Sequence, residues 1–191
     1  MGTAWRESVP FSVRNAILRP VASSLRAAFI AASVVWMALL LAAPFVASRP
    51  HASTLGTLLV VSVYGVGSLV CHQLAERSYR LWATQMPVCA RCAGIYFGAA
   101  VSAVVAAWFR KRARGVQPGG WRAPDRPALQ DPALRHARLI LALAVTPTLL
   151  TLACEWTTGD MPAHAIRALA GVPIGAVAAW LVVTVTDNQV N

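Results

Sequence analysis

Three thiols and an imidazole stand close together in this chain. Cys71-His72 is followed, sixteen residues on, by Cys89-Ala90-Arg91-Cys92. Three thiolates and one imidazole make a closed tetrahedral zinc set, and Cys-x-x-Cys is the usual knuckle spacing. Cys71 and His72 are adjacent, an unusual arrangement for two ligands, so Cys154, or Glu155 for a harder divalent ion, is a candidate to replace one of them. The same cysteines suit thiol–disulfide chemistry. Arg91 lies between Cys89 and Cys92, and the positive end of a helix starting there would lower a thiol pKa. The plainer reading makes Cys71 a small apolar side chain and His72 an interfacial anchor. Haem attachment is excluded, because Ala93 stands where Cys-x-x-Cys-His needs its histidine. No nucleotide-binding loop, hydrolase nucleophile or paired-carboxylate site accompanies the cysteines, so zinc or another divalent metal is the cofactor to expect.

These residues must be positioned by a chain that is 57% apolar, only 13% charged and of mean hydropathy +0.56. A soluble domain carries roughly a quarter charged residues. The apolar residues lie in blocks between polar markers: 22 residues between Arg26 and Arg49, 20 between His51 and His72, 18 between Arg91 and Arg110, 16 between Arg138 and Glu155, and 19 between Arg167 and Asp187. About 20 apolar residues cross the hydrocarbon core as a helix. The expected fold is an all-α polytopic transmembrane bundle of about five spans, near 27–47, 55–71, 92–109, 139–154 and 168–186. A Cys/His-bearing cap over 73–88 would join the second and third spans. The net charge of +10 then reads as basic residues meeting anionic headgroups. Nucleic acid is not an expected partner, since no soluble domain is left to bind it. The lipid bilayer is the expected partner, with a membrane protein or a second copy of the chain beside it.

Residues 1–26 form a basic tail with Arg6, Arg14, Arg19 and Arg26, able to lie as a short interfacial helix. Val46-Ala47-Ser48 resembles a signal cleavage site, but the apolar run is long for a signal peptide and begins late, so an uncleaved span is expected. Residues 110–138 form a basic loop with eight Lys/Arg, four prolines and three glycines. The fourth span, counted from charge to charge, is about 24 Å long, short for a core of about 30 Å, unless Glu155 lies below the headgroups. Trp36, Trp108, Trp121, Trp156 and Trp180 read as interfacial anchors.

Connectivity of alternating spans gathers all four cysteines, with His72 and Glu155, at one membrane face. It puts nine Lys/Arg on the face of the 110–138 loop and eight on the cysteine face. Discounting Arg77, Arg80 and Arg91 as residues of the cap, the positive-inside rule places the loop in the cytoplasm. The cysteine face is then extracytoplasmic, on a bacterial inner membrane, and the N-terminal arginines are translocated. Gly94-x-x-x-Gly98 and Gly171-x-x-x-Gly175 open two spans that run parallel, and small residues at this spacing permit close crossing. Such a crossing sets Arg91 beside Arg167. Glu155 is the nearest carboxylate to bridge them, with Glu76 in reserve, and Arg77 completes a polar site under the cap. A transport or lipid-headgroup site is the non-enzymatic alternative that this polar group supports.

The residues Cys71-His72-Gln73, Glu76-Arg77-Ser78, Pro87-x-Cys89-x-Arg91-Cys92 and Gly94-Ile95-Tyr96-x-Gly98 resemble the hallmark of the family of small prokaryotic membrane proteins called domain of unknown function 2085. Glu155 and Arg167-x-x-x-Gly171-x-x-x-Gly175 look like that family's acidic residue and last-helix motif, while Ala93 stands where a threonine is usual. The resemblance covers roughly residues 58–185. It implies a few membrane helices and no known reaction.

Overall fold

The computed structural model describes residues 11–51, 53–115 and 136–188. The first ten residues, and 116–135 of the basic loop with Trp121, lie outside them. Five helices follow one another: α1 Phe11–Ala47, α2 Thr54–Val70, α3 Ala90–Gly115, α4 Ala137–Thr158 and α5 His164–Asn188. A 3₁₀ turn, Ala75–Arg77, and two short strands, β1 Arg80–Leu81 and β2 Thr84–Gln85, lie between α2 and α3. The molecule is a helical membrane bundle, and four helices have segments long and apolar enough to cross: Pro20–Ala47, Ala90–Phe109, Ala137–Thr158 and His164–Thr186. Their outward faces carry large apolar side chains such as Leu143, Leu150 and Leu169. This suits a hydrocarbon solvent, in which a helix satisfies its own backbone polar groups.

Local chemistry sets the helix ends. Ser53 caps α2 by accepting the Gly56 N–H at 3.2 Å. Gly159, at φ 75°, ends α4 in the left-handed conformation that glycine favours. This places Glu155 inside α4, three residues before its last. At 22 residues the helix is about 33 Å long, not 24 Å. Counting from charge to charge undershot because the charge of Glu155 is neutralised within the bundle. At the other end of the chain, the helical residues from Phe11 onward do not form a separate interfacial helix. They continue into the crossing segment, with Pro20 inside α1.

Two ring contacts fix the sense of α1. Trp36 meets Tyr96 edge-on, with centroids 6.0 Å apart. Phe45 meets Trp82, with centroids 5.2 Å apart. Tyr96 lies two turns into α3, whereas Trp82 lies in the segment ahead of it. Going along α1 therefore means going back along α3, and the two helices are antiparallel. Strict alternation of five spans would have made them parallel. The difference lies in α2, whose 17 residues span about 26 Å. It starts seven residues after α1 ends beside the cap and finishes at Cys71 in the cap; a link that short, about 24 Å at full stretch, does not carry the chain back across a core of about 30 Å. The main apolar core sits at the cap end: Leu40 and Ala43 of α1, Val63 of α2, Met86 and Val88 of the cap, and Ala93 of α3.

Candidate functional site

The cap is a β-hairpin tied back to α2. Arg80 pairs with Gln85 and Leu81 with Thr84 in antiparallel register. The two residues at the tip, Trp82 and Ala83, both have positive φ, 52° and 63°, as a type I′ two-residue turn requires. Three side chains fasten this hairpin. Gln73 Nε2 donates to the carbonyls of Tyr64 at 2.9 Å and Pro87 at 2.7 Å. Gln85 Nε2 donates to the Gln73 carbonyl at 2.6 Å, and the Tyr64 hydroxyl donates to the Gln85 carbonyl. At Gly67 a Cβ would collide with the Pro87 carbonyl oxygen, so α2 and the segment leading to Cys89 approach backbone to backbone. Gln73 belongs to the Cys-His-Gln triplet, but its role as a clamp shows only in three dimensions.

This clamp brings Cys71, at the end of α2, beside Cys89 and Cys92 at the start of α3. Their three Sγ atoms lie within 4.8 Å of one another. The Cys89 N–H donates to Cys71 Sγ at 3.2 Å, which fixes the position of that sulfur beside the start of α3. The Cys89 thiol is held down at about 5, chiefly by a hydrogen bond from the Cys92 thiol, with smaller help from backbone N–H groups and Cys71; burial opposes the shift. All four cysteines are free thiols. His72 is exposed and lies outside the three-sulfur group. Cys154 is exposed on α4 and stands apart from the group as well.

Directly beneath, Glu155 Oε1 accepts from Arg91 Nη2 at 2.9 Å and from Arg167 Nε at 2.8 Å. The side chains of Glu155 and Arg167 are only 4% and 3% exposed. Arg91 Nη2 also reaches Thr151 Oγ1 at 3.2 Å, and Thr148 Oγ1 donates to the Ala170 carbonyl at 2.7 Å. Neither threonine is marked in the sequence, where a hydroxyl inside an apolar run carries no distinguishing pattern. Glu76 is exposed and takes no part.

The crossing of α3 and α5, the most extensive helix contact here, explains this arrangement. A Cβ at Gly94 would overlap the Ala168 carbonyl oxygen, one at Gly98 that of Val172, one at Gly171 that of Arg91, and one at Gly175 that of Ile95. The helices touch backbone to backbone at four successive points, which sets Arg91 and Arg167 side by side. Arg77 approaches from the cap. It joins Arg91, Arg167 and the three cysteines in lining a cavity of about 400 Å³.

Known proteins agree with the membrane architecture and add no chemistry. A family model described as "Predicted membrane protein (DUF2085)" matches residues 71–181, beginning at Cys71 and taking in the cap and the last three helices. The uncharacterized protein MJ1492 of Methanocaldococcus jannaschii, an archaeon, is 34% identical over 79 residues, covering 41% of this chain. The matched part spans about half, 51%, of that relative's length. No solved structure matches the chain. With more than half of its residues under the family model, cap cysteines, Arg91, Glu155 and Arg167 included, the chain belongs to the predicted membrane protein family DUF2085.

Proposed function

We propose that this is an integral membrane protein whose cap holds a zinc-type divalent metal through Cys71, Cys89 and Cys92. The convergence of three sulfurs within 4.8 Å carries this reading. Tetrahedral ligands at a Zn–S distance of about 2.3 Å stand about 3.8 Å apart, inside that limit. The donor set is also chemically apt: a soft thiolate trio selects zinc over the hard ions that carboxylates take. Glu155 is committed to two arginines and is no longer a candidate ligand. His72, which lines the same cavity, is the protein group able to supply the fourth position; otherwise solvent fills it. When bound, the metal ties the end of α2 to the start of α3. No reaction is proposed. The relative being archaeal, the location proposed is the cell membrane in general, with the cap on its external face.

Metal analysis of the protein purified in detergent tests the reading. One metal per chain is expected, absent from Cys89→Ser and retained by Cys154→Ser. His72→Ala should weaken retention against a chelator if the imidazole is the fourth ligand and leave it unchanged if solvent is. A second reading is favoured by the low-lying Cys89 thiol beside Cys92, the pattern of a nucleophilic Cys-x-x-Cys in thiol–disulfide exchange. Metal-free protein with Cys89 and Cys92 joined by a disulfide would establish that reading over the metal site.

A further inference from the structure

The cavity beneath the cap carries more positive charge than its one carboxylate can balance. Arg77, Arg91 and Arg167 line it, and Glu155 is the only acidic group paired with any of them among the described residues. Three cations against one anion leave two positive charges. A Cys89 thiolate, or a zinc trithiolate, would subtract one and still leave the cavity positive. Buried donors are also left over: Arg77 Nε, Arg91 Nε and Arg167 Nη2 have no hydrogen-bond partner. Arg167 is 2% exposed, so its free Nη2 belongs to a side chain almost wholly out of water.

Buried polar groups are nearly always partnered, and an uncompensated buried charge is strongly destabilising. Water could occupy the donors, since 400 Å³ is room for about a dozen molecules at ~30 Å³ each. Water leaves the excess charge in place, however, whereas an anion removes both deficits at once. Guanidinium groups present forked donors that match the several oxygens of a phosphate. His72 and Gln73 also line the cavity, Val70, Leu74 and Ile95 form its apolar part, and Val70 and Leu74 are themselves exposed at the bundle surface. The basic cavity therefore adjoins an exposed apolar rim.

We propose that this cavity is a binding site for a phosphate-bearing anion, held by Arg77, Arg91 and Arg167. The phosphate is either free or the headgroup of a lipid whose chains follow the rim past Val70 and Leu74. The site does not depend on the metal, and metal content measured on the same sample separates the two claims.

The test uses the full chain purified in maltoside detergent, without phosphate. Thermal unfolding and binding are followed on adding inorganic phosphate or dihexanoyl phosphatidylglycerol. Sodium chloride at equal ionic strength and dihexanoylglycerol serve as controls. Stabilisation by phosphate identifies the free anion; stabilisation by the phospholipid alone identifies the headgroup. Arg77→Gln, which leaves the Glu155 ion pairs in place, should bind the effective ligand at least tenfold more weakly. If this variant does not fold, phenylglyoxal labelling of the wild type replaces it, and the ligand should protect Arg77 from modification. The proposal is overturned if neither phosphate compound stabilises the protein or if the controls do so equally. Unchanged affinity in Arg77→Gln, or no protection of Arg77, overturns it as well.

Discussion

Glu155 shows how a single side chain can be read from connectivity. Helices α3 and α5 both start at the cap and α4 ends there, so a carboxylate near the end of α4 is the natural counter-ion for Arg91 and Arg167. The structure has all three in contact. Removing one partner from such a desolvated group leaves unpaired charge, at a cost of about 3–5 kcal/mol. Glu155→Ala should therefore lower the thermal midpoint in detergent far more than Asp160→Ala, which removes an exposed link residue. Equal, small shifts would mean that the ion pairs contribute little. His72 was less legible: the extended backbone at Cys71, φ −149°, leaves the histidine exposed while its neighbour is buried, yet the imidazole still lines the cysteine cavity, and metal retention in His72→Ala decides its role. The cysteines also differ in their acid–base behaviour, and this can be measured on metal-free protein. Because the thiol of Cys89 is depressed from 9.0 to about 5, its thiolate persists above that pH and is lost as pH falls through it. Iodoacetamide labelling of Cys89, read by mass spectrometry, should be nearly flat from about pH 6.5 to pH 8, where an ordinary thiol gains roughly tenfold per unit. A rate rising tenfold per unit there would show an ordinary thiol.

At the scale of elements, the glycine crossing and the cap are unequally written in the sequence. Two small-x-x-x-small patterns opening parallel helices are readable because helical spacing puts both glycines of each pair on one face. The hairpin is not: two-residue strands have no periodicity, and a turn with positive φ at Trp82 and Ala83 uses neither Asn nor Gly, the usual signals. What holds that turn is the clamp of Gln73, Gln85 and Tyr64 together with the edge-to-face contact of Trp82 with Phe45, all contacts between distant residues. The glycines give a paired prediction. Gly175→Ala drives a methyl group into the Ile95 carbonyl, where backbone must move. Gly65→Ala meets nothing within 4 Å and gains helix propensity of about 0.5–1 kcal/mol. Thermal unfolding in detergent should therefore show Gly175→Ala destabilised and Gly65→Ala unchanged or slightly stabilised. If the two behave alike, close approach is not what holds α3 and α5 together.

For the whole molecule, the sense of α1 changes the charge balance across the membrane. With α1 rising toward the cap and α2 joined to it by too short a link to return across, four helices remain that are long and apolar enough to cross. The segment before α1 is then expected on the same face as the α3–α4 connection. Arg6, Arg14, Arg19 and Arg26, with the eight Lys/Arg of 110–138, make twelve on that face; Arg49, Arg77, Arg80, Arg91 and Arg167 make five on the cap face. Under strict alternation the same seventeen divide nine to eight, which decides nothing and forces four arginines of the tail across the membrane. Composition could not reveal this, because α2 is as apolar as a true span and differs only in length and in where its ends are held. The positive-inside rule now works without discounting any residue. Both termini and the basic loop are expected in the cytoplasm, and the cap, its cysteines and the arginine cavity outside. That face is oxidising in many cells, so a metal on Cys89 and Cys92 would also keep them from pairing as a disulfide. Reporter fusions or cysteine-accessibility labelling at residues 3, 82, 120 and 191 check the arrangement. Positions 3, 120 and 191 should report the cytoplasm and 82 the exterior. Opposite sides for 3 and 120 would restore five alternating spans and contradict an antiparallel α1. All four positions reversed would keep the fold but put the cap inside, and the external site would then be wrong.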